Sequence, residues 1–131
     1  MMRRSLIMLL GTALAACQPD VHTSAGVAQR FVDAHYVQID LAAAREYCSG
    51  VALQKLTKEQ ELTQGQSIDE STRKPSVHYR LIEKHEDNDE ASYVFEGTIT
   101  VADAGQFTRK WLIATRHAAG RWTVSNFEEF D

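Results

Sequence analysis

The hydrophobic period of this chain changes once, at Pro75, and that change restricts the fold more than any other feature. Beyond the proline, apolar and polar residues alternate, as they do on strands with one face buried. Val77, Tyr79 and Leu81 fall on one face of a first strand, His78 and Arg80 on the other. The second strand has the clearest pattern: Tyr93, Phe95, Gly97, Ile99 and Val101 alternate against Ser92, Glu96, Thr98 and Thr100. A third runs from Phe107 to His117 with Phe107, Trp111 and Ile113 on one side, and a fourth from Trp122, expected in the core, to about Phe127. Turn chemistry separates them: the charged run at 86–90, Asp103-Ala104-Gly105, and Ala118-Ala119-Gly120-Arg121. Pro75 itself biases Lys74 toward extended backbone ahead of the first strand. Four strands in succession with short turns predict an antiparallel meander.

Before the proline the spacing is helical. Thr23 or Ser24 can cap a first helix over about 24–38, with Val27, Phe31, Ala34 and Val37 on its apolar side and Gln29, Arg30 and Asp33 on the wetter one. Asp40 caps a second, short helix through Cys48, which Ser49-Gly50 ends. A third covers about 51–64, with Leu53, Leu56 and Leu62 apolar, Lys58, Glu59 and Glu61 exposed, and Gly65 closing it. Helices first and strands after predict an α+β domain: N-terminal helices packed on a curved four-stranded antiparallel meander sheet. One face has to be covered, because the aromatics of the strands would otherwise form a large exposed apolar patch.

The start of the chain has a different character. Arg3-Arg4, a short apolar run over 6–13 and then Leu14-Ala15-Ala16-Cys17 resemble a bacterial lipoprotein signal peptide with its lipobox. The run is far too short for a bilayer span, which needs about 20 apolar residues. The resemblance implies cleavage between Ala16 and Cys17 and lipidation of Cys17, dividing the chain into a signal peptide (1–16), a lipidated tether (17–24) and one domain (25–131). Each buried methylene contributes about 0.8 kcal/mol, so two or three acyl chains hold a protein firmly. Gln18, where an inner-membrane retention signal has aspartate, points to the outer membrane, periplasm-facing, with inner-membrane anchoring as the alternative. The leader holds two arginines and no acid, so what remains is more negative than the full chain's formal −4. Such a surface disfavours nucleic acid as a partner. Lipidated Cys17 leaves Cys48 alone, without an intrachain disulfide partner, and a lone cysteine reads as a small buried hydrophobe.

A first helix with Phe31 and Ala34-His35-Tyr36, a second-helix start Asp40-Leu41-Ala42-Ala43-Ala44, a meander, and a closing Gly120-Arg121-Trp122-Thr123-Val124 strand resemble the nuclear-transport-factor-two-like superfamily, and cystatin-like domains share its helix-on-curved-sheet design. The resemblance implies a bent sheet wrapped around the first helix to leave a cone-shaped cavity, with His35, Tyr36 and Trp111 as candidate pocket residues. An isomerase-type site needs a carboxylate base in an apolar pocket opposite a phenol or protonated acid. Asp33, Tyr36, Asp40 and His35 are the candidates, but Asp40 reads as a helix cap, Asp33 as exposed and Tyr36 as a core or rim aromatic. No inward strand position bears an Asp or Glu in this register: Glu96 alternates outward, and Glu128 and Glu129 lie at or past the end. No catalytic residue, metal ligand or cofactor site is therefore assigned. His22, His35, His78, His85 and His117 have no metal spacing, His78 and His85 falling on opposite faces of a regular strand. The expected function is that of a membrane-anchored, non-catalytic lipoprotein binding an envelope protein partner or a small apolar ligand; the alternative is an isomerase- or cyclase-like enzyme using an acid/base residue inside the cone. Cys17→Ser is expected to shift the protein from the membrane to the soluble fraction or to accumulate uncleaved precursor. Lipid labelling of the mutant at the native level would rule the anchor out.

Overall fold

The computed structural model describes residues 18–64 and 74–131. Cys17 and the stretch before it that resembles a lipobox, Gly65 and the segment 66–73 lie outside the described residues. Helices α1 (Ser24–Val32), extended by a π-helical turn (Asp33–Val37), α2 (Leu41–Arg45) and α3 (Gly50–Leu62) precede strands β1 (Ser76–Glu86), β2 (Glu90–Val101), β3 (Gly105–Ala118) and β4 (Arg121–Phe130). The strands form one antiparallel sheet in the order β1-β2-β3-β4. This is the α+β meander that the change of period predicts. Among the described residues no helix is long and apolar enough to cross a membrane.

Thr23 is the cap of α1: its hydroxyl accepts from the Gly26 N–H at 3.0 Å. Val27, Ala28, Phe31 and Val32 are buried against the sheet, where Ser24 also shares a 2.6 Å hydrogen bond with the Tyr93 hydroxyl. The stretch before α1, read above as tether, is not a free spacer in its described part. Arg30 donates through Nε to the Pro19 carbonyl at 3.0 Å, and Thr23 donates to the Asp20 carbonyl at 3.0 Å. Gly26 lets this segment lie flat on the helix, since a Cβ there would sit 1.8 Å from the Asp20 oxygen.

Helix α2 stops at Arg45, short of the expected Cys48, because strand pairing competes for the backbone. Cys48 forms a parallel bridge with Val124: the Ser49 N–H donates to the Val124 carbonyl (2.9 Å) and the Val124 N–H to the Tyr47 carbonyl (2.7 Å). This covers the outer edge of β4, which would otherwise present unpaired groups. Gly50, at φ +55°, opens α3 rather than closing α2. Lys55 on α3 then donates to Asn126 Oδ1 and to the Phe127 carbonyl, both at 2.7 Å, and ties the helix to the far end of β4.

Two bulges curve the sheet, as an extra residue in one strand bends and twists it. In β1 the pairing passes from Leu81↔Phe95 to Glu83↔Val94, skipping Ile82; in β4 it passes from Ala114↔Asn126 to Thr115↔Val124, skipping Ser125. The first bulge corrects two sequence expectations. Leu81 and Ile82 are 46% and 41% exposed, so the packed inward face of β1 is only Val77 and Tyr79. His78 lies opposite Thr98 and His85 opposite Ser92, which puts both on one outward face instead of opposite ones. Trp122 is only half-buried, beside His117, whereas Trp111 is fully buried; Phe107 keeps its inward register but is 45% exposed.

The close approach that sets the sheet's inner surface is Trp111 over Gly97, where an added Cβ would lie 2.1 Å from the indole Cη2. Gly97→Ala is expected to cost about 1–3 kcal/mol through overpacking. Trp111→Ala is expected to cost about 3–5 kcal/mol, and Trp122→Ala less than that. Urea melts of the three variants check the order, and a neutral Gly97→Ala would contradict the contact.

Candidate functional site

The end of α1 decides where the site lies. Over Asp33–Val37 the helix widens into a π-turn, with the Gln38 N–H bonded to the Asp33 carbonyl and the Asp40 N–H to the Ala34 carbonyl, both at 2.8 Å. π-turns recur at functional sites because they re-aim neighbouring side chains. Ile39 closes the turn at φ +54°, a strained conformation for a β-branched residue. Asp40 then caps α2, accepting from the Ala43 N–H at 3.0 Å. Asp33 is half-buried rather than exposed and accepts a 2.5 Å hydrogen bond from the Tyr79 hydroxyl, which fastens the turn to β1.

Below this turn a cavity of about 890 Å³ opens between the sheet and α3. Tyr36 lies flat on Trp111, ring centres 4.1 Å apart and planes within 7°, and His35 stands edge-on to Tyr36 at 4.2 Å. Phe127 packs 5.1 Å from His35. Val77, Ile99 and Phe107, neighbours across β1, β2 and β3, make one wall, and Ile39 and Leu41 another. His35, Tyr36 and Trp111, singled out from the sequence, therefore line one cavity.

Polar groups enter from two elements that the sequence reading set aside. Lys55, Glu59 and Thr63 are four residues apart and share one face of α3, which is turned toward the cavity. Glu59 Oε2 lies 2.8 Å from His35 Nε2. Glu128 and Glu129 line the rim, because β4 runs on to Phe130 rather than ending near Phe127. Glu129 pairs opposite Trp111 and so has inward register, which corrects the expectation that no acid does. The repeated i, i+4 spacing on α3 was a readable signal for its face; the adjacent acids of β4 break the alternation and hid theirs.

Three buried polar atoms lack a partner among the described residues: His35 Nδ1, the Tyr36 hydroxyl oxygen and Trp111 Nε1. His35 Nε2–H is donated to Glu59, so Nδ1 is the ring atom left without a partner among the described residues. The Tyr36 phenol is held above its ordinary range by burial first and then by the charges of Glu129 and Glu59. Burial, followed by the Asp33 carboxylate, does the same for Tyr79. Cys48, whose thiol donates to the Ala44 carbonyl, is pushed up to about 12 by burial and then by Glu59. No group of three or more His, Cys, Asp or Glu side chains close enough to hold a metal ion occurs among the described residues.

Compared with known structures, the chain is similar to a designed nuclear-transport-factor-two-like protein: TM-score 0.56, 9% identity, covering 79% of this chain and 93% of that one. The fold is nuclear-transport-factor-two-like. A looser likeness, at TM-score 0.44 and 11% identity, is to the intermembrane-space region of the chloroplast protein ARC6, over 85% of this chain and 96% of that one. No family model and no curated protein matches the sequence. At these identities the likeness concerns the fold alone, and the chemistry of the cavity has to be argued from its own residues.

The perturbed groups set a pH dependence. Each is neutral in the fold and loses its proton more readily in the unfolded chain, so raising the pH favours unfolding. For Cys48 the window runs from its ordinary 9.0 up to about 12. Urea melts should show stability constant from pH 7 to about 8.5 and falling above pH 9, with Cys48→Ala removing part of the fall. A flat profile to pH 10.5 would contradict the burial of these groups.

Proposed function

We propose that this chain is a tethered binding protein, exported and lipidated on Cys17 after cleavage behind Ala16, that holds a small, mainly apolar molecule in the cone-shaped cavity. The observation that carries the binding reading is the cavity of about 890 Å³ with the Tyr36–Trp111 stack and the Val77, Ile99 and Phe107 wall on its lining. Ligand pockets commonly span about 300–1,000 Å³ and combine an apolar lining with a few convergent polar groups. A cone closed by its own side chains would have favoured a purely structural role. The basic start, short apolar run and lipobox-like stretch over 3–17 support the anchor, and Gln18 in place of aspartate favours an outer-membrane, periplasm-facing location over the inner membrane.

An isomerase- or cyclase-like enzyme is the second reading, favoured by the His35–Glu59 hydrogen bond within the cavity. A proton-transfer base needs one ring nitrogen held and the other within reach of substrate. Here Nε2 is held by Glu59, but Nδ1 is buried out of solvent's reach, which supports binding over catalysis.

Titration of the protein with the neutral dye 1-N-phenylnaphthylamine should give saturable fluorescence enhancement at one site per chain. Ile99→Trp, which places an indole in the cavity wall, should abolish it while leaving the far-ultraviolet circular dichroism intact. Absence of saturable binding to the unmodified protein would overturn the ligand-binding reading. Equal binding by a folded Ile99→Trp variant would place the ligand elsewhere.

A further inference from the structure

The mouth of the cavity is electrically lopsided. Glu59, Glu128 and Glu129 line it, and Lys55 is the only Lys or Arg among the described lining residues. The Lys55 ammonium is turned to Asn126 and the Phe127 carbonyl and stands 5.4 Å from the Phe127 ring centre, so a ligand anion would have to displace two hydrogen bonds to reach it. Arg109, on the inward register next to Phe107, is bonded to Asp131. His35 Nε2 donates to Glu59 Oε2, which fixes that carboxylate at the cavity wall. The C-terminal turn of α3 also comes to the rim at Thr63, and it contains no basic residue to offset its partial negative charge. Lys74 lies beside the lining Pro75 but is exposed.

The interior adds a second, independent indication. The Tyr36 side chain, on the cavity lining, is about nine-tenths buried, and its hydroxyl oxygen, which has no partner among the described residues, can accept from a ligand N–H. Phe107, 45% exposed on the same lining, adds accessible aromatic and apolar surface against which a ligand's body can lie. Negative charge at the mouth and aromatic rings behind it suit one ligand chemistry and oppose its inverse. The rise in the Tyr36 phenol agrees in sign, since Glu129 and Glu59 contribute to it after burial.

We infer that the cavity selects a small amphiphilic cation, an ammonium or amidinium group on an apolar body, with the charge held by Glu59, Glu128 and Glu129 and the body against the aromatic lining. This rests on the ligand-binding reading and specifies the class of ligand. The carboxylates act by differential attraction: a cation gains from them, a neutral molecule is indifferent, and an anion of the same shape is repelled.

The test is a matched series of eight-carbon probes with the full chain, each below its micellar concentration: octyltrimethylammonium, 1-octanol and octyl sulfate. Each is read by displacement of 1-N-phenylnaphthylamine. The cation is expected to bind about tenfold more tightly than the alcohol, and the sulfate more weakly than the alcohol, at low ionic strength. Salt raised to about 0.3 M should narrow the spread through screening. The double variant Glu128→Gln, Glu129→Gln, whose side chains sit at the exposed rim, should bring the three affinities together without changing the thermal melt. The Ile99→Trp variant keeps the apolar N-terminal segment and subtracts any uptake by it. Equal affinities for the three probes, or a preference for the sulfate, would overturn the cation inference while leaving the ligand-binding reading intact. Failure of all three to displace a bound dye would overturn the inference; failure of the dye itself to bind would overturn the underlying reading as well.

Discussion

The contact on which the structure depends is the indole of Trp111 lying over Gly97 with the ring of Tyr36 stacked on it. A side chain at position 97 would lift Trp111 away from the sheet, and Tyr36 with it. Because Tyr36 belongs to the π-turn, lifting it would displace the end of α1, and because His35 is bonded to Glu59 the shift would pass to α3. One missing methyl group thus sets the spacing between three elements. Aromatic stacks of this sort contribute roughly 0.5–1.5 kcal/mol beyond their buried area. Their larger effect here is geometric, since the same stack is both core and cavity lining.

The cavity exists because the helical layer stops covering the sheet where the π-turn ends. Up to Val32, α1 packs Phe31 and Val32 into the core. After the turn the chain leaves through Ile39 into α2, and the widened end leaves Val77, Ile99 and Phe107 without a helix directly against them. Holding Ile39 in the left-handed region opposes folding by about 1–3 kcal/mol. The neighbouring hydrogen bonds of Gln38, Asp40 and Tyr79 compensate for that strain. The carboxylates at the mouth come from the two elements nearest the gap, α3 and the end of β4.

Much of this was readable in the residues, and what was not has identifiable physical causes. Alternation from Val77 onward was enough for four strands, their order and the facing aromatics, because a half-buried sheet imposes period two on any sequence. Thr23 and Asp40 announced their helices through capping chemistry. The bulges were not legible: Ile82 is an ordinary β-branched residue, and only its pairing partner reveals that it is skipped. That single slip reassigned His78 and His85. The end of α2 depends on Val124, more than seventy residues away in the chain, and no local pattern at Cys48 encodes it. His35, Tyr36 and Trp111 could be placed in the cavity from the fold resemblance. Glu59 and Glu129 could not, since an acid at a rim looks in sequence like an acid in solvent.

The attachment of Pro19 and Asp20 to α1 has a mechanical consequence. Arg30 grips the chain at Pro19, so only Gln18 lies between position 17 and the held residue, a reach of roughly 7 Å. A lipid carried on Cys17 would therefore hold the domain as a short-stemmed bracket does. It could rock and spin on its stem but not range away from the bilayer.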